Sequence, residues 1–212
     1  MADRYLIRYE KTGPMRYIGH LDFTDAFRRA VKRSGLPAEY SAGYNPRVKL
    51  SFALPLPVGY AGLSEYAEIF LKEPAGAQEI IKPLNETLPE GVHILETRTL
   101  NENEKGPASA LLAAKYSIVL DGPRDIGHYL EILLSGKESD ETAKLLISAE
   151  TAGENEIIIM APHGNNKNLK PDSVAARLHE IIGTEYDPVK TKFTRLEMYK
   201  NKNGSLAPIF EL

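Results

Sequence analysis

The order in which strand and helix patterns follow one another is the feature that most restricts the fold of this chain. In its first hundred residues, apolar side chains recur with the periods of strands and helices in the order β-α-β-β-α-β. This order is typical of a ferredoxin-like sandwich, in which two helices cover one face of a four-stranded antiparallel sheet. The predicted strands cover residues 4–11, 47–52, 66–72 and 92–100, and the predicted helices cover residues 20–34 and 77–88.

The same element order returns after a polar stretch, NENEKGPAS. The sequence therefore predicts an α+β protein made of two tandem ferredoxin-like (β-α-β-β-α-β) sandwiches with antiparallel sheets. The first would cover residues 1–100, a linker residues 101–110, and the second residues 111–212. In the second half, the predicted elements are a strand at 115–120, a helix at 126–134, a hairpin at 144–149 and 156–160, a helix at 173–182 and a strand at 192–199.

The first predicted helix, residues 20–34, has an apolar side and a charged side. Acids lie near its N-terminus and bases near its C-terminus, which is the distribution that the helix dipole favours. Gly35 and Pro37 then end the helix. The apolar stripe consists of Phe23, Ala26, Phe27, Ala30 and Val31, and the bases are Arg28, Arg29, Lys32 and Arg33.

A turn and a basic strand follow this helix. The turn contains Tyr40, Gly43, Tyr44, Asn45 and Pro46. In the strand, Arg47, Lys49 and Ser51 alternate with Val48, Leu50 and Phe52. Two phenol rings beside two positive charges can stack on bases and neutralise phosphates. In the alternative interpretation, the tyrosines pack at the edge of the core and the cations form an ordinary solvated strand face.

The net charge of −3 conceals a basic N-terminal quarter. Residues 1–50 contain ten Lys or Arg and five Asp or Glu, a local charge of +5, whereas the remainder of the chain carries −8. Only the N-terminal quarter is therefore expected to attract a polyanion.

Residues that the chain lacks exclude several classes of function. Without cysteine there is no disulfide, no thiolate nucleophile and no cysteine-ligated iron–sulfur cluster. The histidines follow no zinc-binding spacing, and no phosphate loop or dinucleotide fingerprint is present. We therefore expect no metal site and no cofactor. No apolar run reaches the roughly 18 residues of a membrane span, and the charged N-terminus lacks a signal sequence, so we expect a cytoplasmic protein without membrane association.

The stretch RYIGHLDFTDAFRRAVKRSGLPAEYSAGYNPRVKLSFALPLPVG, residues 16–59, resembles a radical-SAM-linked bacterial family of unknown function. The family's HLD, GLP, YSxG(F/Y)NP and SFAxPL elements all occur here, without a gap, over about 45 residues. In that family the domain either stands alone or looks like the C-terminal extension of a cobalamin-binding radical SAM protein. The resemblance implies a radical SAM partner. Because this chain has no cysteine to ligate the cluster of such an enzyme, it would be an accessory part and not the catalyst.

We predict a substrate-binding surface formed by this stretch of the chain. Its residues are Arg16, His20, Arg28, Tyr40, Tyr44, Asn45, Arg47, Lys49 and Ser51. The favoured function is a non-catalytic accessory module that binds RNA or another anionic substrate for a radical SAM partner.

Two alternative functions stay open. In the first, His20 is the general acid or base of a metal-independent endoribonuclease-like phosphoryl-transfer enzyme, with Arg47 or Lys49 stabilising the phosphorane. Tandem ferredoxin-like modules also resemble the architecture of CRISPR repeat-processing ribonucleases. However, the spacing fixes no second acid or base, and His20 can simply cap the helix. In the second alternative, residues 54–60 form the surface of a protein–protein adaptor.

Overall fold

The computed structural model describes residues 3–122, 125–163 and 168–212. These residues have the mixed α+β architecture expected from the sequence, with antiparallel strand pairs and six α-helices in the described ranges. The chain forms two compact units. The first is Met1–Ala110 together with Pro208–Leu212, and the second is Leu111–Ala207. Within the described residues, none of the helices combines the length and apolar character needed to cross a membrane.

Within the first unit, four strands pair antiparallel in the order β4-β1-β3-β2. In its register, Ile7 of β1 lies opposite Ala67 of β3 on one side and Thr97 of β4 on the other. The elements are β1 (Asp3–Lys11), a 3-10 helix (Gly13–Tyr17), α1 (His20–Arg33), β2 (Leu50–Phe52), β3 (Ala61–Leu71), α2 (Ala77–Thr87), β4 (Val92–Thr99) and α3 (Pro107–Ala110).

Alternate residues of β1, β3 and β4 point to one face of this sheet and are buried there by α1 and α2. Side chains of one face thus meet the apolar stripes of two amphipathic helices, which is the stable way to cover a sheet. The buried residues of this core include Tyr5, Ile7, Tyr9, Phe23, Phe27, Val31, Ala67, Ile69, Leu71, Ile80, Leu84, Val92 and Ile94.

Four aromatic rings join α1 to the sheet, and we call them the aromatic cluster: Tyr9, Phe23, Phe27 and Phe52. The ring centroids of Phe23 and Phe27 each lie 5.8 Å from that of Tyr9. The ring of Phe52 lies 5.5 Å from Phe23, 5.6 Å from Phe27 and 6.1 Å from Tyr9. Because Phe52 belongs to β2, the aromatic cluster holds this short strand against α1.

The strand predicted at residues 47–52 is shorter in the structure. Only Leu50–Phe52 pair with β3, whereas Val48 forms an isolated bridge with Tyr40. The backbone N–H of Ser41 donates to the carbonyl of Arg47 at 2.8 Å, and the backbone N–H of Arg47 donates to the Ser41 hydroxyl at 3.0 Å. These two hydrogen bonds join the ends of the loop formed by residues 41–47. Arg47 and Val48 therefore pair with Ser41 and Tyr40, and the chain pairs with β3 only from Leu50 onward.

Within the second unit, the strands pair antiparallel in the order β8-β5-β7-β6, with β9 paired to β8. In both units the strand order is therefore fourth, first, third and second. The elements are β5 (Leu111–Val119), α4 (Ile126–Ser135), α5 (Glu141–Leu145), β6 (Ser148–Thr151), β7 (Glu156–Pro162), α6 (Pro171–Ile182), β8 (Lys192–Lys202) and β9 (Ser205–Pro208).

The strand predicted at residues 144–149 is wrong over its first half, because α5 occupies residues up to Leu145. The Asp140 carboxylate accepts hydrogen bonds from the backbone N–H groups of Thr142 and Ala143, at 2.9 and 3.0 Å. This N-terminal cap stabilises a short helix that apolar periodicity alone does not reveal. Strand β6 begins later, at Ser148.

The segment at 101–110, predicted as a linker, is tied to β1 by Arg4. The Arg4 Nε atom lies 2.6 Å from Oε1 of the buried Glu68, and its Nη1 atom donates to backbone carbonyls of the segment. Residues 107–110 form the short helix α3. The segment thus belongs to the first compact unit.

We predict that Phe52→Ala destabilises the first unit by about 2–3 kcal/mol, because it removes a ring that contacts three others and leaves a cavity at a partly buried site. Urea unfolding followed by circular dichroism measures this loss. Leu63→Ala is the control, since Leu63 is an exposed apolar residue of the neighbouring strand β3. Equal losses in the two variants would contradict the importance of the aromatic cluster.

Candidate anion-binding site

Two adjoining cavities lie between α1 and the chain that leads into β2. The first has a volume of about 330 Å³ and the second about 230 Å³. Both are lined by Arg28, Arg47 and Val48, so we treat them together as the basic groove. Ser41, Lys49, Leu50, Ser51 and Phe70 also line the first cavity, and Asp25, Arg29 and Lys32 also line the second.

The position of α1 explains why several cations meet at the basic groove. The apolar residues of α1 face the sheet, so the neighbouring stripe of the helix faces away from it. This stripe has the spacing i, i+3, i+4, i+7 and therefore forms one helix face. Its members are Asp25, Arg28, Arg29 and Lys32.

Arg28 is the residue of α1 that borders both cavities. Its Nη1 atom lies 3.3 Å from Oδ1 of Asp25, an ion pair in which the Asp25 side chain is 57% exposed. Its Nε atom is buried and has no hydrogen-bond partner within the described structure. Arg28 therefore contributes its charge to both cavities, while its Nε atom faces the protein interior.

The other cations of the second cavity are also available to a ligand. Arg29, Lys32 and Arg47 are exposed, and the structure shows no carboxylate paired with any of them in the residues it describes. Asp25 is the single acidic residue among the described residues that line either cavity. The basic groove is therefore positive even after its internal ion pair is taken into account.

Lys49 lines the first cavity but is already neutralised. Its Nζ atom lies 2.6 Å from Oε1 of Glu39 and 5.9 Å from the centroid of the Phe70 ring. Ser51 lines the same cavity from β2, where it is paired in register with Glu68. Lys49 is thus a positioned polar group of the cavity wall and not a free positive charge.

Of the two predicted tyrosines, Tyr40 lies beside the second cavity, whereas Tyr44 and Asn45 are exposed in the loop and are not among the described residues that line either cavity. The ring centroid of Tyr40 is 5.7 Å from Nζ of Lys32, which places this ring beside the second cavity. The side chain of Tyr44 is 99% exposed, and Asn45 is exposed beside it in the loop. Neither tyrosine is therefore buried in the core.

Arg16 and His20 do not line the basic groove within the described structure. The Arg16 Nε atom donates to the Gly59 carbonyl at 2.8 Å, so this arginine holds the loop before β3. His20 packs edge-on against Phe52, with ring centroids 5.5 Å apart. Burial, with a smaller effect from the charge of Lys11, lowers the pKa of His20. The His20 imidazole is thus neutral at pH 7 and packs against the aromatic cluster.

The structure brings Arg28, Arg47, Lys49 and Ser51 together and adds two cations that were not among the predicted site residues, Arg29 and Lys32. Helical spacing would have identified them, because Lys32 lies one turn after Arg28 and Arg29 lies one turn after Asp25, and residues one turn apart share a helix face. No three His, Asp or Glu side chains in residues 3–122, 125–163 and 168–212 lie close enough together to hold a metal ion.

The second unit contains the most strongly shifted histidine. The hydroxyl of Tyr116 and Nε2 of His163 are 2.9 Å apart. Burial, with a smaller contribution from the charge of Arg195, lowers the pKa of His163 to about 4. The folded protein therefore holds this imidazole neutral at pH values where an unfolded chain would protonate it.

We predict that acid destabilises the protein through His163. Below about pH 6.5 the His163 imidazole of the unfolded chain binds a proton, whereas that of the folded chain binds one only near pH 4. Unfolding free energy should therefore fall by up to about 3 kcal/mol as pH drops through this interval, and then lose no more from this group. His163→Gln should remove most of this slope in urea titrations repeated at each pH, with pH 7.5 as the reference. An unchanged slope would contradict the assignment.

A family described as an uncharacterized protein conserved in bacteria, DUF2344, matches residues 4–208. No curated protein matches the chain. The matched residues include the whole basic groove, all of the second compact unit and most of the first. The radical SAM association stays a prediction. Because the match covers nearly the full length, the chain belongs to the bacterial family DUF2344.

Proposed function

We propose that this protein is an accessory binding module that recognises RNA through the basic groove of its first unit. The observation that carries the proposal is the convergence of Arg28, Arg29, Lys32 and Arg47 on two joined cavities that contain one carboxylate, Asp25. Exposed cations held side by side attract phosphates and release their condensed counterions. A site of this kind suits a polyanion better than a small neutral ligand.

The loop supports RNA over a simple inorganic anion. The ring of Tyr40 lies beside Lys32, Tyr44 is exposed in the same loop, and a phenol ring that is exposed to solvent can stack on an unpaired base. Phosphate contacts fix the position of a strand, and base contacts add affinity beyond charge. The combination of free cations and exposed rings in one short stretch is the chemistry expected of a single-strand binder.

We infer that each unit is a ferredoxin-like sandwich and that the two form a tandem pair. The support is the shared element order and the shared strand order of fourth, first, third and second. The ferredoxin-like fold occurs in proteins with many different functions, so the fold alone does not indicate a function. The functional proposal therefore depends on the basic groove and not on the fold.

A binding role accounts for the site better than a nuclease role does. A general acid or base must reach the proton that it transfers, and it must work beside the groups that stabilise the phosphorane. His20 instead packs against Phe52 and is not among the described residues that line the cavities with Arg47. We therefore assign His20 a structural role in holding the start of α1 against β2.

We further propose that the enzyme served by this module is a radical SAM protein. The support is the resemblance carried by residues 16–59 and the absence of cysteine from the chain, which leaves the chemistry to a partner. Affinity purification from native cells, with and without nuclease, would show whether a radical SAM protein is recovered. Recovery of other proteins alone would favour the adaptor function instead.

We predict that Arg28→Gln combined with Arg47→Gln weakens binding to single-stranded RNA about 10- to 100-fold at low salt. If four cations contact phosphates, log K should fall with log[salt] with a slope of about −3 for the wild type and about −1.5 for the double variant. Fluorescence anisotropy with a labelled ten-nucleotide RNA, repeated over a salt series, measures both quantities.

The control for this experiment is Lys72→Ala combined with Lys82→Ala, which removes two exposed charges of the same unit outside the basic groove. Its affinity and slope should stay close to those of the wild type. The proposal is wrong if the wild-type protein fails to bind RNA at low salt, or if the control loses as much affinity as the groove variant.

A further inference from the structure

The two cavities of the basic groove share Arg28, Arg47 and Val48, but their other lining residues differ. In the second cavity these residues are Asp25, Arg29 and Lys32, which are all charged. The first cavity instead has an apolar wall and a set of hydroxyl groups. Two neighbouring compartments of different chemistry fit a ligand that is itself divided into a charged part and a flat, less polar part.

The apolar wall of the first cavity is formed by Val48, Leu50 and Phe70. Val48 is almost fully buried, whereas Leu50 and Phe70 are partly exposed. Phe70 already has a cation near its ring, because Nζ of Lys49 lies 5.9 Å from the ring centroid. Apolar side chains of this kind can pack against the face of a nucleobase, and stacking on a ring adds affinity for every base type.

Hydroxyl groups border this wall on two sides. Ser51 has no side-chain hydrogen bond in the described structure, and the Ser41 hydroxyl accepts one from the backbone N–H of Arg47 but can still donate its own hydrogen. They are therefore available to the polar edge of a base. Lys49, neutralised by Glu39, completes the wall without adding net charge.

The first cavity has room for one base. Its volume of about 330 Å³ lies at the lower end of the roughly 300–1,000 Å³ of small-molecule pockets. A duplex would present mainly phosphates and sugars to it, because the bases of a duplex are stacked and paired inside. A double-stranded RNA would leave the apolar wall unused.

We infer that the basic groove is a two-part nucleotide site, in which the first cavity takes one unpaired base and the second cavity takes the adjoining phosphate. Arg28 and Arg47, which line both cavities, contact the ligand where the two parts meet. This inference rests on the proposed function and narrows its substrate class to single-stranded RNA. Polyanions without bases are then poor ligands, even when their charge is the same.

Competition measurements on the wild-type protein test the inference. A fluorescein-labelled eight-nucleotide single-stranded RNA is displaced by three competitors at matched phosphate concentration: the same RNA without label, an abasic RNA of the same length, and a blunt-ended duplex without unpaired bases. We expect the single strand to compete about 10-fold better than the abasic RNA and the duplex, as stacking of one base would give. Phe70→Leu should reduce this preference to about 2- to 3-fold without changing the salt dependence of binding.

A second measurement needs no variant. Cross-linking of a 4-thiouridine RNA to the wild-type protein, followed by trypsin, should label the peptide of residues 50–72, which contains Leu50, Ser51 and Phe70. Equal competition by abasic and single-stranded RNA, or labelling confined to other peptides, would overturn the two-part site while leaving the RNA-binding proposal intact. Failure of the labelled RNA to bind at all would instead overturn the proposed function.

Discussion

The contact of Phe52 with the three other rings of the aromatic cluster is the interaction on which the rest of the first unit depends. Phe52 belongs to a strand of three residues, too short to be held by its own backbone pairing with β3. Its ring packs against Phe23 and Phe27 of α1 and so fixes the distance between helix and strand. Leu50 and Ser51 precede Phe52 directly, and both line the first cavity together with Arg28 of α1.

The polar part of the groove follows from this apolar packing. Once Phe23 and Phe27 are turned into the core, the neighbouring face of α1 can only present Arg28, Arg29 and Lys32 beside the loop. The loop in turn is closed by hydrogen bonds between Ser41 and Arg47, which hold Arg47 at the edge of both cavities. Hydrophobic burial therefore positions the cations, and the cations provide the chemistry.

The sequence predicts much of this arrangement because its signals are local. The apolar stripe, Gly35 and Pro37 predict α1 almost to the residue, and the alternating residues of β1 predict the first strand. Helix α5 was missed because one cap, Asp140, stabilises it against a strand-like pattern.

The composition of the site was harder to predict, because it depends on which side chains meet in three dimensions. Arg16 and His20 share the motif-rich stretch with Arg28 and Arg47, yet Arg16 is bonded to Gly59 and His20 is packed on Phe52. Lys49 alternates with Arg47 in sequence, but Glu39 neutralises it through a pairing that only the folded loop creates. The sequence motif therefore indicated the part of the chain that forms the site. Which cations of that part lack an acidic partner depends on contacts that form only in the folded protein.

The most direct test of the account is an NMR titration of the protein with single-stranded RNA that follows the arginine Nε–Hε signals. Arg28 and Arg47 line the groove, whereas the Nε of Arg16 is bonded to the Gly59 carbonyl and reports on the same unit outside the groove. The account predicts that the Arg28 and Arg47 signals shift on addition of RNA while the Arg16 signal stays in place. A shift of the Arg16 signal with unmoved Arg28 and Arg47 signals would contradict it.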